Sequence, residues 1–114
     1  MRTRVWGPTK SITLKLALDT GASDTLISAT QLENLGFDLS RAAQIVEITT
    51  GGGVIAAPII ELAQLEALGQ ERLDFPVLAH DLPPTSTIDG VLGLDFMRGH
   101  LLTVDFRIGQ LSLA

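Results

Sequence analysis

The stretch Leu18-Asp19-Thr20-Gly21-Ala22-Ser23 places a single acidic residue at the end of an apolar stretch. Residues 11–18 alternate polar and apolar side chains, which is the period of a strand with one buried face. A carboxylate at the end of such a strand is costly to bury unless it has partners. Gly21 permits a backbone turn that is closed to other residues. The pattern therefore predicts a strand that delivers Asp19 into a tight turn.

Asp19 is the first candidate for a catalytic group. Two carboxylates that share one proton can hydrolyse a peptide bond, one as the general base on water and the other, protonated, polarising the carbonyl. The Asp-Thr-Gly triplet occurs once in the 114 residues, so one chain supplies half of such a site and a second copy would supply the rest. The alternative is an ordinary turn, because these residue types are common in turns.

Two further segments carry possible functional signals. The glycine run Gly51–Gly53 separates two apolar, β-branched stretches, which predicts a hairpin whose tip is either a mobile flap over a peptide or an ordinary loop. Residues Val91-Leu92-Gly93 predict a short buried strand over 91–94, and a helical turn follows over 95–98. Asp95 is predicted to cap that turn and Asp89 to sit in a turn of its own, with a catalytic role for Asp89 as the lesser alternative.

The remaining pattern predicts a mainly β domain. A capping box at Ser28 and Gln31 with a stop at Gly36 predicts a helix over 29–35. Residues 59–68 suit a helix or a strand; we favour two strands around a turn at Gly69-Gln70, with 73, 75 and 77 on one face. Residues 102–106 and 111–113 predict a last hairpin. Together these elements indicate one closed, barrel-like domain over residues 1–114 with one or two short helices.

Bulk composition excludes several classes of function. The net charge of −5 argues against nucleic acid or an anionic membrane as a partner. The absence of cysteine excludes disulfides and thiol chemistry, and His80 and His100 lack metal-ligand spacing, so we expect neither a metal nor a cofactor. No stretch of 18 apolar residues exists, and residues 1–10 lack a signal-peptide core, so the default expectation is a cytoplasmic location.

In order and spacing, these features resemble the retropepsin-like aspartic proteases. The resemblance covers nearly the whole chain: the strand into Asp19–Ala22, the glycine-tipped hairpin at 51–53 and the closing segment Val91–Gly93. The stretch Gly93–Met97, followed by Arg98 and His100, is most similar to the protease domain of the DNA-damage-inducible ubiquitin-shuttle proteins and their bacterial relatives.

The resemblance implies a closed acid-protease barrel with one lobe per chain, working as a homodimer on extended peptides. It implies a catalytic set of Asp19, Thr20 and Gly21, with the Leu101–Ala114 hairpin in the dimer interface. The implied substrate-binding residues are Ala22, Ser23, Asp24, Thr50, Gly51, Gly52, Gly53, Val54, Val91 and Leu92. Apolar residues are expected on either side of the cleaved bond, because Val91, Leu92, Ile55 and Leu26 would line the cleft.

Two departures from the retroviral pattern stand out. Retroviral members carry an acidic residue at the position of Ser23 and an arginine at that of Leu94, and those two form an ion pair. Both are uncharged here, which favours the shuttle-protein and bacterial branch. A catalytically silent dimerisation or peptide-binding module of the same fold is the alternative function, and an unrelated small β domain is a third.

Overall fold

The computed structural model describes residues 1–50 and 52–114, and its regular structure is mainly β-strand. The strands are β1 (Arg2–Trp6), β2 (Ser11–Leu18), β3 (Leu26–Ile27), β4 (Gln44–Thr50), β5 (Gly53–Ala67), β6 (Gln70–Ala79), β7 (Gly90–Leu92), β8 (Leu102–Asp105) and β9 (Gln110–Leu113). Two short helices, α1 (Ala29–Asn34) and α2 (Leu94–Met97), and a 3-10 turn over Leu39–Arg41 complete the described elements. The 3-10 turn was not predicted from the sequence.

Six strands close into a barrel. They follow the order β1-β2-β7-β3-β6-β5, and β5 returns to β1 by antiparallel pairing of residues 64–66 with residues 4–6. β4 extends the sheet beyond β5 as the outer strand of a hairpin. Closure satisfies the backbone groups that an open sheet would leave unpaired at its edge. The predicted mainly β, barrel-like fold class is confirmed.

The strand that leads to Asp19 follows the predicted alternation. Leu14 and Leu16 of β2 are buried in the core, whereas Thr13 and Lys15 are exposed. β2 pairs with β1 over residues 11–15 and runs parallel to β7 over residues 16–18, so its last residues are held by β7. The end of β2 is therefore a fixed point from which the next residues leave the sheet.

The ambiguous region after residue 58 is two strands, as we favoured. β5 and β6 pair from Ile59–Leu78 to Ala67–Gln70, with the turn at Leu68-Gly69, one residue earlier than predicted. Both turn residues have positive φ, 53° and 74°, as a two-residue type I′ hairpin requires. The predicted common face of 73, 75 and 77 is wrong for Leu73, which is 70% exposed: Asp74 adopts φ 50° and turns the strand there.

The first helix begins and ends near its predicted bounds. Ser28 accepts a hydrogen bond from the Gln31 amide at 3.4 Å as the N-cap, and Gly36 has φ 101° just beyond the last turn. The helix ends at Asn34, one residue short of the prediction. Leu32 and Leu35 are fully buried in the core, so α1 covers one face of the barrel.

The C-terminal residues form a separate two-stranded sheet, in which β8 pairs with β9 from Leu102–Leu113 to Asp105–Gln110. This hairpin matches the predicted return of the chain after Phe106, although β8 already ends at Asp105. None of the helices in the described part of the chain has the length and apolar character needed to cross a membrane.

Candidate active site

Asp19 lies in a tight turn directly after β2. The parallel pairing of β2 with β7 places Leu18 opposite Leu92, and the Asp19 amide donates to the Leu92 carbonyl at 3.0 Å. The Asp19 carboxylate accepts a hydrogen bond from the Gly21 amide at 2.9 Å, and the Ala22 amide donates to the Asp19 carbonyl at 3.2 Å. The turn therefore orients the carboxylate through the backbone of the residues that follow it.

The second half of this loop is held by the start of α2. The Leu94 amide donates to the Ala22 carbonyl at 2.8 Å, and the Asp95 amide donates to the Ser23 carbonyl at 3.2 Å. The first amides of a helix have no partner within the helix, so α2 uses them to hold residues 19–25, which we name the catalytic loop after the role predicted for Asp19. The backbone thus links these two segments, and the side chains of Asp95 and Thr25 add a second link.

Gly93 is required where the two segments meet. A Cβ atom at this position would lie 2.6 Å from the carbonyl carbon of Asp24 and 2.9 Å from the carbonyl oxygen of Ala22. Neither backbone atom can move away without displacing the catalytic loop. The glycine of the predicted Val91-Leu92-Gly93 segment is therefore explained by this close approach, and β7 ends at Leu92 rather than at Leu94.

Asp95 has a different role from the one predicted. Gly93 is the N-cap of α2, and Asp95 is its second residue. Its carboxylate accepts hydrogen bonds from the Thr25 amide at 3.0 Å, the Thr25 hydroxyl at 2.7 Å and the Phe96 amide at 2.8 Å. Thr25 is fully buried and its hydroxyl also accepts from the Gly93 amide at 3.1 Å. The prediction of an N-cap is wrong because the carboxylate turns back onto Thr25.

Sequence reasoning missed the Thr25–Asp95 pair as part of the site. The two residues are 70 positions apart, and each has an ordinary local explanation when considered alone. The available signal was the position of a threonine at the start of an apolar strand and of an aspartate two residues after Gly93. No local pattern links them, since it is the fold that brings these segments together.

The three predicted catalytic residues lie together at the surface. Asp19, Thr20 and Gly21 are all exposed in the isolated chain, and Ala22 is half-buried. Among the described residues, the Asp19 carboxylate has one hydrogen-bond donor, the Gly21 amide. The site thus presents one accessible carboxylate on a hydrogen-bonded turn, and a two-carboxylate mechanism requires a second one.

The predicted cleft residues divide into two groups. Val91 and Leu26 are half-buried and paired across β7 and β3, next to the end of β2. Leu92 is 0% exposed and belongs to the core. The prediction that Leu92 lines the cleft is therefore corrected: its side chain packs inside the barrel, and its carbonyl holds Asp19.

The predicted flap is the tip of the β4–β5 hairpin. Thr50 pairs with Gly53, which has φ 122°, and the exposed Val54 follows it, with Ile55 half-buried behind. Gly52 is exposed at the turn. Gly51, which was predicted to bind substrate, lies outside the described residues. The hairpin is confirmed as a structure, whereas its action as a flap stays a prediction.

Two other aspartates support the framework of the site. Asp89 accepts from the Lys15 amide at 2.9 Å, which fastens the segment before β7 to β2. Asp81 accepts from the Thr30 amide at 3.0 Å and the Ser28 hydroxyl at 2.9 Å. These donors, first the Thr30 amide and then the Ser28 hydroxyl, lower the pKa of Asp81 below its usual value. Both carboxylates thus fix connections between elements.

His100 lies beside Arg72 at the end of α2. His100 Nε2 lies 3.0 Å from Arg72 Nη2, and the same guanidinium group donates to the Phe96 carbonyl at 2.8 Å and stacks on the Phe96 ring. Arg72 thus joins β6 to the end of α2. In residues 1–50 and 52–114, no group of three or more histidine or acidic side chains is placed to hold a metal ion.

The structure is a closed barrel in which the turn that carries Asp19 is hydrogen-bonded to a short helix that follows Gly93. This is a retropepsin-like fold. The family model described as aspartyl protease matches residues 5–96. The chain therefore belongs to the aspartyl protease family, and it is a hydrolase of the aspartic endopeptidase type. No curated protein sequence matches the chain.

Solved structures agree on the fold. A retropepsin-like aspartic protease from Rickettsia conorii matches with a TM-score of 0.73 and 23% identity, over 99% of this chain and 79% of that one. EIAV protease, in complex with the inhibitor HBY-793, matches with a TM-score of 0.60 and 22% identity, over 75% of each chain. The family and the closed retropepsin-like barrel predicted from the sequence are therefore confirmed.

Proposed function

We propose that the protein is a homodimeric endopeptidase whose active site contains one Asp19 from each subunit. The observation that carries this proposal is the single, exposed carboxylate on a loop fixed by its own chain. The proposed mechanism uses two carboxylates, whereas the chain has one Asp-Thr-Gly triplet. Pairing of two copies would supply both carboxylates. Twofold symmetry makes the contributions of the two subunits equivalent.

The exposed apolar surface supports the pairing. The C-terminal hairpin exposes Leu101, Val104, Phe106 and Ile108, and Leu94 lies exposed at the start of α2. A cavity of about 340 Å³ joins these regions, since it is lined by Thr20 of the catalytic loop, by Met97 and by Leu102. A partner subunit seated on the hairpin would therefore lie beside Thr20, which is proposed to hydrogen-bond across the twofold axis.

The proposed chemistry needs only the two carboxylates and water. One Asp19 takes a proton from water as the oxygen attacks the scissile carbonyl carbon, and the other, protonated, donates to the carbonyl oxygen. Collapse of the tetrahedral intermediate breaks the C–N bond as a proton moves to the nitrogen.

The substrate is proposed to bind as an extended strand. Gly21 would offer its carbonyl, and residues 22–24, 50–54 and 91 would form the remaining contacts. The half-buried Val91, Leu26 and Ile55 supply an apolar surface for the residues that flank the bond. The β4–β5 hairpin would close over the peptide as a flap. Its contacts would be aliphatic or made by the backbone, because it carries no aromatic side chain.

The test is cleavage of a diverse peptide library between about pH 4 and 7 by the wild type and by Asp19→Asn. We expect Asp19→Asn to lose at least about a thousandfold in rate while it stays folded and dimeric. The matched control is Asp38→Asn, the same chemical change at an exposed carboxylate that pairs with Arg41 outside the site. Equal rates for Asp19→Asn and the wild type would refute the proposal.

Mixing the two proteins tests whether the site is shared. A ninefold excess of Asp19→Asn draws most wild-type subunits into mixed dimers, so we expect about a tenfold loss of activity per wild-type subunit by mass action. The same excess of the doubly changed Asp19→Asn, Phe106→Asp, in which the exposed Phe106 of the hairpin becomes charged, should inhibit much less. Activity unaffected by either addition would show that one subunit is sufficient.

A further inference from the structure

A second cavity lies next to the catalytic loop, with a volume of about 320 Å³. Its walls are mostly apolar: Ile59, Phe75, Pro76, Val77 and Leu78 come from the paired strands β5 and β6. Two acidic residues complete the lining, Asp24 and Asp95. The cavity therefore combines a long apolar wall with carboxylates at one side.

The two carboxylates differ in how they are used. The three hydrogen bonds from Thr25 and Phe96 occupy Asp95. Asp24 is exposed, and its carboxylate makes no hydrogen bond or ion pair with any residue in the described ranges 1–50 and 52–114. The cavity thus has one carboxylate that is available to a ligand.

We propose that this cavity binds a lysine or arginine side chain of the substrate, with its cation on Asp24. Such side chains lay their methylene groups along apolar surface while the charged end reaches a polar partner, and this cavity has both apolar walls and the Asp24 carboxylate in its lining. A charge-assisted hydrogen bond to the carboxylate supplies the specificity. The proposal rests on the proposed function, and it makes Asp24 a specificity-determining residue.

Continuity with the site favours the substrate as the occupant. Asp24 is on the same braced loop as Asp19, five positions further along the chain. Leu78 of the cavity wall pairs with Leu26 of β3, and Leu26 pairs in turn with Val91 of the proposed cleft. An extended peptide advances about 3.3 Å per residue, and on this proposal a basic residue a few positions from the cleaved bond occupies the cavity. Apolar residues remain expected at the bond itself.

The test uses one cleavable peptide in which each position away from the bond carries lysine, arginine, norleucine, glutamine or glutamate. Norleucine keeps the apolar stem without the charge. At one position we expect kcat/KM for lysine to exceed that for norleucine by about tenfold. The preference should fall as salt is added, because the carboxylate is exposed. Asp24→Asn should reduce the lysine-to-norleucine ratio to within about twofold.

Two further variants make the assignment specific. Asp24→Lys should reverse the preference toward glutamate. Glu71→Gln, which removes one negative charge from an exposed position of β6 outside the cavity, should keep the wild-type ratio. A lysine preference that survives Asp24→Asn, or one that Glu71→Gln abolishes equally, would overturn the assignment to Asp24.

Binding separates this proposal from the catalytic one. In an Asp19→Asn background, the lysine and norleucine peptides are titrated with and without Asp24→Asn, and fluorescence anisotropy is measured. One outcome is that the lysine peptide binds more tightly only when Asp24 is present, while the wild type cleaves no peptide. That result would refute the proposed protease function and support the proposed binding of a basic side chain in the cavity. Cleavage with no dependence on Asp24 in either assay would refute the cavity and support the protease. No preference for lysine in either assay also refutes the cavity.

Discussion

The catalytic loop and the C-terminal hairpin differ in what holds them. Within the loop, the backbone of residues 19, 22, 23 and 25 is hydrogen-bonded to β7, to α2 or within its own turn. The hairpin forms its own two-stranded sheet and meets the barrel through the buried Leu113, the half-buried Leu102 and a 3.2 Å bond from the Gln70 amide group to the Leu113 carbonyl. The loop is therefore held by several hydrogen bonds to other elements, whereas the hairpin has few contacts with the barrel.

The two regions also differ in the side chains they present. The loop exposes short polar side chains, and its buried residue Thr25 is fully hydrogen-bonded. The hairpin exposes Leu101, Phe106 and Ile108 at 68%, 91% and 69%. Exposed apolar groups in a cluster indicate an interaction site. The loop therefore takes its geometry from its own chain, whereas the hairpin is suited to gain packing from a partner.

The largest effect should come from the carboxylate that fixes the loop. Asp95→Ala leaves the buried Thr25 amide and hydroxyl without an acceptor, and we expect a loss of about 2–4 kcal/mol in the free energy of unfolding together with most of the activity. Asp105→Ala is the matched change in the hairpin, where the carboxylate accepts from the Arg107 amide at 2.9 Å and from its guanidinium at 3.1 Å in solvent. Urea unfolding measures both variants.

Asp105→Ala should not change the unfolding midpoint measurably, because solvent replaces its bonds. Asp95→Asn is the second control: it keeps one acceptor oxygen but places an amide donor near Thr25, so its stability should fall between those of Asp95→Ala and the wild type. Equal losses for Asp95→Ala and Asp105→Ala would contradict the contrast between the two regions.

The features that were predictable from the sequence are those with a local cause. The alternation of residues 11–18, the cap at Ser28 and the stop at Gly36 have periods or conformations that can be recognised within a few residues. Gly21 is an exception: it does not have positive φ, so the expectation of a turn conformation closed to other residues is wrong there. Asp19 was placed correctly at the end of β2 for the same reason. The family resemblance then connected these local segments into a closed barrel.

The features that were missed depend on contacts between distant segments. Asp95 has the local pattern of a helix cap. Its carboxylate instead accepts hydrogen bonds from the Thr25 amide and hydroxyl, because α2 packs against the catalytic loop. Leu92 was expected in the cleft because of its position in the motif, but a side chain's direction depends on which face of β7 meets the core. Leu73 was misplaced because Asp74 interrupts the alternation of β6.

The next effect concerns the hairpin alone. Phe106→Asp places a charge on the most exposed apolar side chain, and if two copies pair through this surface the dimer dissociation constant should rise at least about tenfold. The unfolding midpoint of the monomer should not change, because Phe106 contributes little to the core. Sedimentation equilibrium over a range of concentrations measures the constant.

Leu73→Asp is the control for that change. Leu73 is also a highly exposed apolar residue, at 70%, but it lies on β6 beside the interrupted pairing with β5. We expect its dimer constant to match that of the wild type. Equal weakening by both substitutions would indicate a general effect of charge, and no weakening by Phe106→Asp would remove the hairpin tip from the interface.

The smallest effect is the response to acid. The Thr30 amide and the Ser28 hydroxyl lower the pKa of Asp81 in the folded protein, so its contribution to stability is complete above the unfolded pKa and is lost as the pH falls through the lower, folded value. The melting temperature of the wild type should therefore fall more steeply below about pH 4 than that of Asp81→Asn. Asp105, whose pKa the Arg107 side chain lowers, has the same sign, but it lies in the lightly held hairpin. Asp105→Asn should then keep the wild-type dependence of melting temperature on pH. A dependence that changes with Asp105 and not with Asp81 would show that the hairpin unfolds together with the barrel.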